Sequence, residues 1–260
     1  MRTSLRDKIN KGWPPVTAVL LMLIIWQLAV IFFEVEKWLL PGPIDIAREM
    51  VASFPRLMMH TWSTVRNCLV GFTVGAVCGI VTALAMHLYR PIKSTLAAVL
   101  VFTQNIPIIV LGPLLVVWFG FGLLPKVIII ALVCYFPIAV SMMNGLADPD
   151  HAMRNYMRML GVSRLQMLFK LEIPHSLGHL FSGLKISATY SVMGAVISEW
   201  LGASKGIGYF MTLSSSAYRT DRVFASILVV VVLSLSLYAL IGLIERLVLS
   251  WKPHSAKEEE

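Results

Sequence analysis

Glu199 is the ionisable residue that most invites a chemical role. It lies near the outer end of a long apolar run, 180–201, where a charge is costly and marks a functional candidate. An acid there can line a path, pair with Arg66 near the end of another run, or reach out to water. The other chemical signals fall away on inspection. His175 and His179 stand at i, i+4, but no Glu follows His175, so the zinc-protease pattern fails. Gly206-Ile-Gly208 lacks the Lys-Ser/Thr and the strand context of a phosphate loop. Ser214, Ser215 and Ser216 have no Gly-x-Ser-x-Gly around them. Cys68, Cys78 and Cys134 are too scattered for a disulfide framework or a metal site, and all fall in apolar runs where a thiol acts as a small hydrophobe. No catalytic constellation, metal site or nucleotide-binding motif is left.

The elements that must carry Glu199 are membrane spans. The chain of 260 residues is 57% hydrophobic and only 14% charged, against about 25% in a soluble domain. Its mean hydropathy is +0.77. The apolar residues cluster into runs near the length that crosses a hydrocarbon core. About six spans are expected: 16–33, 67–89, 95–119, 124–144, 180–201 and 223–249. The fold class is therefore an all-α polytopic membrane protein, read as one domain over 1–260. The first run lacks a small-residue cleavage site and reads as a retained helix. The net charge of +8 reflects topology rather than nucleic acid. With the N-terminus inside, roughly twice as many Lys and Arg fall on that side, which puts both termini in the cytoplasm.

Three breaks in this pattern are informative. Leu40-Pro-Gly-Pro43 precedes a short amphipathic helix, 44–58, expected at the interface. Asn105, Pro107, Gly112 and Pro113 interrupt the third span. Broken helices survive in a membrane where they are buried in protein or line a cavity, so Gln104–Gly112 is placed near a translocation path, with a simple proline kink as the alternative. Gly71, Gly75 and Gly79 put small residues on one face of the second span, which suits helix packing within one subunit or across a dimer. Lys185, near the inner end of the fifth span, reads as a snorkelling side chain.

The longest inside loop, 147–179, is the richest segment. Asp148-Pro149 reads as a helix start. Ala152, Met153, Tyr156, Met157 and Leu160 then recur at helical spacing until Gly161. Ser163 and Gln166 form a capping box for a second helix, with Val162, Leu165, Leu168, Phe169 and Ile173 on its apolar face and Pro174 as its expected end. The pair is either an interfacial element resting on headgroups or a docking surface for a cytoplasmic partner. The charged tail, 252–260, is expected to be disordered.

Tyr156–Pro174, YMRMLGVSRLQMLFKLEIP, resembles the signature loop of binding-protein-dependent ABC importer permeases. Gly161 and Pro174 keep that signature's spacing, while Tyr156, Met157 and Arg158 stand where the family has Glu-Ala-Ala. Leu40-Pro-Gly-Pro, Thr64-Val-Arg-Asn, Gly71-Phe, Asn105-Ile-Pro107, Gly112-Pro-Leu-Leu, Trp118-Phe-Gly-Phe-Gly122, Lys126, Tyr135-Phe-Pro137, Gly194–Gly202 and Gly206-Ile-Gly208-Tyr extend the resemblance over most of the chain. They are similar to the subgroup that imports taurine, alkanesulfonates, nitrate or bicarbonate, and thiamine pyrimidine precursors, with the run from Ala188 to Gly202 closest to the last.

The resemblance implies a type I importer permease of the bacterial cytoplasmic membrane, working as a homodimer. It has no cofactor of its own; ATP and magnesium belong to separate cytoplasmic ATPase subunits, and an external binding protein delivers a small polar nutrient. The docking residues it implies are Arg154, Tyr156, Met157, Arg158, Leu160, Gly161, Ser163, Arg164, Phe169 and Pro174. With the acidic residue lost, docking rests on shape, apolar contact, Arg154 and Arg158. The translocation path takes Gln104, Asn105, Pro107, Gly112 and Glu199. A transporter driven by an ion gradient is the rival; it needs several embedded acids, and only Glu199 and Glu245 approach that. An intramembrane enzyme lacks paired catalytic residues.

Overall fold

The structure, a computed structural model, describes residues 5–147, 149 and 151–250. Its elements are helical: α1 (Leu5–Phe32), α2 (Pro43–Ala52), α3 (Phe54–Leu88), α4 (Arg90–Asn105), α5 (Ile108–Phe119), α6 (Leu123–Ala147), α7 (His151–Met159), α8 (Arg164–Met167), a π turn (Leu168–Glu172), α9 (Ile173–Trp200), α10 (Ile207–Ser216) and α11 (Thr220–Val248). Asp148 and the tail 252–260 lie outside the described residues. Four helical stretches are long and apolar enough to cross a membrane: Phe54–Leu88, Leu123–Ala147, Arg164–Trp200 and Thr220–Val248. A fifth arises if Pro91–Asn105 and Ile108–Phe119, bent by 97° at their junction, cross together. The expected first span is apolar but shorter, at Thr17–Phe32. By length and composition, four or five spans are thus met among the described residues, with the shorter apolar helix besides, which is compatible with the expected count of about six.

The described chain forms two compact units, one of residues up to 59 with 210–229, the other of 60–209 with those from 230 on. In the first, Pro43 occupies the first turn of α2, where its missing N–H costs nothing, and Gln27 Oε1 accepts from Ile44 N at 3.1 Å. The amphipathic helix ends at Ala52, and α3 begins two residues later, well before the expected start of the second span. Ile46, Leu57, Phe210 and Ala225 form this unit's core. Glu49 bridges Arg219 and Arg222, each at 2.7 Å, and Arg219 also meets Asp221 at 2.9 Å.

The second unit is built on α6 against α3 and α9. Its core takes Cys68, Ala76 and Ala83 from α3, Ile130, Cys134, Ile138 and Met142 from α6, and Leu180, Val192 and Ala195 from α9. Helices with little hydrophobic drive to associate in lipid need close backbone approach, and glycine provides it. A Cβ on Gly75 would come within 2.7 Å of the Ala131 carbonyl, and one on Gly79 within 3.0 Å of the Tyr135 carbonyl. A Cβ on Gly71 would run into Ile130. The glycine face of α3 therefore packs on α6 of the same chain. The α6–α9 seam uses the same device at Gly145, Gly183 and Gly194, which meet Ser176, Ser141 and Val133. It is cross-stitched where Ser187 Oγ donates to the Cys134 carbonyl at 3.0 Å. Cys68 and Cys134 are buried in these seams, whereas Cys78 is exposed.

Pro174 does not end a helix. Arg164–Trp200 is one continuous apolar stretch, with Pro174 in the first turn of α9. A proline inside a helix normally strands the carbonyl four residues back and clashes with it. Here the π turn immediately precedes it, and Ile173 N–H bonds to the Leu168 carbonyl five residues back. The widened turn makes room for the ring, so the helix passes through.

Candidate functional site

The loop expected to dock a partner forms a knob of two short helices. Gly161 ends the first with φ +71°, the left-handed conformation in which glycine alone is unstrained. The capping box opens the second: Gln166 N donates to Ser163 Oγ at 3.3 Å, and Ser163 N donates to Gln166 Oε1 at 3.1 Å. A large apolar surface results, with Tyr156, Met159, Leu160, Leu165 and Phe169 all more than half exposed. Met157 is half-buried and Arg158 exposed.

Underneath, polar contacts fasten the knob to the end of α3. Arg164 Nη2 donates to the Leu88 carbonyl at 2.7 Å, answering an unpaired group at a helix C-terminus. Glu172 is buried, 2.8 Å from His87 Nε2 and 3.4 Å from Arg154 Nη2. Arg154, expected on the docking face, is thus an anchor with its side chain 18% exposed. The sequence offered no pointer to His87 and Glu172, which are 85 residues apart.

Glu199 is 1% exposed, and its partners are not Arg66. Thr64 Oγ1 lies 3.0 and 2.9 Å from its two oxygens, Asn67 Nδ2 donates to Oε1 at 3.0 Å, and Gly208 N donates to Oε2 at 3.0 Å. The Ile207 N–H donates to Thr64 Oγ1 at 2.8 Å, and the Gly206 N–H to His60 Nδ1 at 3.2 Å. Three successive backbone donors opening α10 are thereby satisfied by side chains. An acid at a helix N-terminus also meets the positive end of its dipole. The backbone donors of Gly206-Ile-Gly208 are thus answered by the chain's own side chains. A Cβ on Gly206, at φ +124°, would run into the Glu199 carboxyl, and one on Gly208 into the Val196 carbonyl. Glu199 therefore ties α3, α9 and the start of α10 together.

Of the remaining expected path residues, Gln104 and Gly112 line two separate recesses. Gln104 lines one of about 140 Å³ with Thr103, Leu132, Phe136, Tyr190 and Met193. Gly112 is buried and lines another of about 160 Å³ with Lys126, Ser198 and Ser204. Asn105 closes α4, its Nδ2 donating to the Val101 carbonyl at 2.7 Å, and Pro107 opens α5. The turn of 97° falls at these two residues; Gly112 and Pro113 lie within α5. Lys185, expected to snorkel, pairs with Glu245 at 2.7 Å.

A family model described as the inner membrane component of binding-protein-dependent transport systems matches residues 75–250, which include the knob and Glu199. The chain belongs to this family. It is 32% identical over 224 residues to a probable ABC transporter permease of Haemophilus influenzae, covering 86% of this chain and 91% of that one. It is 30% identical over 239 residues to the formylaminopyrimidine transport permease ThiX of Halalkalibacterium halodurans, covering 92% and 95%. An inward-facing structure of the MetNI methionine ABC transporter shares the fold, with a TM-score of 0.67 at 19% identity over 76% of this chain and 98% of that one. The chain is thus an ABC importer permease, a membrane transport subunit and not an enzyme. Permeases of this kind work with an ATPase and a substrate-binding protein.

Proposed function

We propose that this permease forms the translocation pathway for a small polar nutrient, favouring a thiamine pyrimidine precursor, and couples to a separate ATPase through the α7–α8 knob. The observation that carries the coupling assignment is the apolar surface of Tyr156, Met159, Leu160, Leu165 and Phe169, held out on an unstrained Gly161 turn and fastened beneath by Arg164 and Glu172. A knob so anchored moves with the spans it is tied to. In this reading two permeases pair around the path, and two cytoplasmic ATPase subunits with ATP and magnesium dock on the knobs. An external binding protein delivers substrate at the opposite face. Both termini lie in the cytoplasm of a bacterial cell whose plasma membrane holds the complex.

Two considerations support the substrate class. The formylaminopyrimidine permease is 30% identical to this chain, ahead of the riboflavin permease of Chloroflexus aurantiacus at 29% and the putative aliphatic sulfonate permease of Bacillus subtilis at 27%. The Gln104 recess offers an aromatic face at Tyr190 and hydrogen-bonding groups at Thr103 and Gln104 without a lining charge, which suits an uncharged heteroaromatic ring better than a sulfonate.

The test is uptake by proteoliposomes holding the permease, its ATPase and its binding protein. Accumulation of a pyrimidine precursor that requires ATP and the binding protein is expected. Uptake driven by an ion gradient without ATP would refute the coupling assignment. ATP-driven uptake of taurine or an alkanesulfonate instead of the pyrimidine would refute the substrate assignment alone.

A further inference from the structure

Beside the exposed apolar face of the knob lies an open recess of about 600 Å³. Lys93, Arg154, Arg158, Arg164 and His87 stand in its wall against a single described acid, Glu172. That acid is already engaged by His87 and Arg154, and Arg164 is turned to the Leu88 carbonyl. Among the described residues, Lys93 and Arg158 have no ion-pair partner, and the buried Arg154 Nε has no acceptor. The recess therefore holds cationic donors in excess of the acceptors around them.

Its position selects the anion. Leu88 closes α3, Lys93 is in the first turn of α4, and Ala147 closes α6, so the recess gathers the ends of two helices long and apolar enough to span and the start of a third, at the depth of the headgroups of the membrane those helices cross. Met86, Met143 and Met167 supply an apolar floor under the cations. A basic wall above an apolar floor at headgroup depth matches a phosphodiester attached to a glycerol and acyl chains better than a fully hydrated ion. We propose that this recess binds the phosphodiester of an anionic phospholipid. Lys93 and Arg158 donate to its oxygens, and the glycerol rests on the methionines that line the recess. The site stands independently of which protein docks on Tyr156 and Phe169.

The test is lipid binding by the purified full-length permease in detergent, titrated with phosphatidylglycerol, phosphatidylcholine or inorganic phosphate and read by native mass spectrometry and thermal shift. Wild type should bind phosphatidylglycerol saturably and in preference to phosphatidylcholine. The double variant Lys93→Gln/Arg158→Gln should bind it about tenfold or more weakly, since each basic residue at a membrane surface contributes appreciably. Lys126→Gln/Lys205→Gln, with the same charge loss outside the recess, should bind as wild type does. Lys93→Gln alone, retaining Arg158, should give an intermediate loss and serves if the double variant does not fold. Equal affinity in wild type and the recess variants, or equal binding of both lipids, would overturn the proposal. Displacement of the lipid by millimolar inorganic phosphate would assign the recess to a soluble phosphoryl group and overturn the lipid assignment.

Discussion

Replacing Glu199 by glutamine tests the buried carboxyl group with almost no change of shape. Every partner of its two oxygens is a donor: Thr64 Oγ1, Asn67 Nδ2 and Gly208 N, all at 2.9–3.0 Å. An amide keeps one acceptor and turns the other into a donor. Whichever way it flips, its NH2 faces either Asn67 Nδ2 or Gly208 N. One hydrogen bond is lost, at about 0.5–1.5 kcal/mol, and one buried N–H is stranded, at about 1–3 kcal/mol. The expected destabilisation is about 2–4 kcal/mol, or roughly 10 °C in the unfolding midpoint of a chain this size. Cys68 and Cys134 are buried and can report it through a thiol-reactive dye, in a Cys78→Ala background that removes the exposed thiol. Thr64→Val removes the hydroxyl that links the carboxyl group to Ile207 N. The double variant should be less impaired than the two singles summed, with a coupling of about 1–3 kcal/mol. A midpoint unchanged in Glu199→Gln, or strict additivity with Thr64→Val, would refute the clamp.

Three further outcomes follow from the same geometry. Gly161→Val forces a β-branched residue to φ +71° in open space, at about 1–2 kcal/mol of local strain; membrane insertion should be intact while ATP hydrolysis and transport uncouple. Phe169→Ala, at an exposed position, should leave the unfolding midpoint within about 1 °C and weaken ATPase association measured by co-purification at least tenfold, as truncation of an aromatic anchor does. Gly75→Leu places a side chain against the Ala131 carbonyl and Cys134, and should lower the unfolding midpoint by well over the few degrees expected of overpacking at about 1–3 kcal/mol.

What the sequence made legible was what depends on near neighbours. Apolar length locates the spans, Gly161 marks the turn, and Ser163 with Gln166 spells the capping box that the structure contains. Asn105 and Pro107 announced a break, though a linear reading could not tell a kink from a bend of 97°. What stayed hidden depends on residues brought together from afar. Glu199 stood out as a lone acid, but its partners Thr64 and Asn67 are uncharged and more than 130 residues away, so Arg66 looked the better match. Arg154 and Arg158 looked alike on one helix, yet only Arg154 meets the buried Glu172. Pro174 read as a stop because the rule assumes α-helical spacing, and the π turn before it breaks that assumption.

That π turn takes up a residue without cost in phase. It closes over five residues where an α turn closes over four, so it holds one extra residue within a single turn and leaves the helix on either side facing nearly as it would without it. Leu165 and Phe169 are exposed, and Met167 and Leu168 buried. Deleting one residue between Leu168 and Glu172 would leave an unbroken helix of ordinary pitch with the knob facing much as before. Pro174 would then meet the carbonyl four residues back, its ring against it and no N–H to offer. The extra residue thus lets one unbroken helix carry a proline beneath the docking surface without turning that surface away.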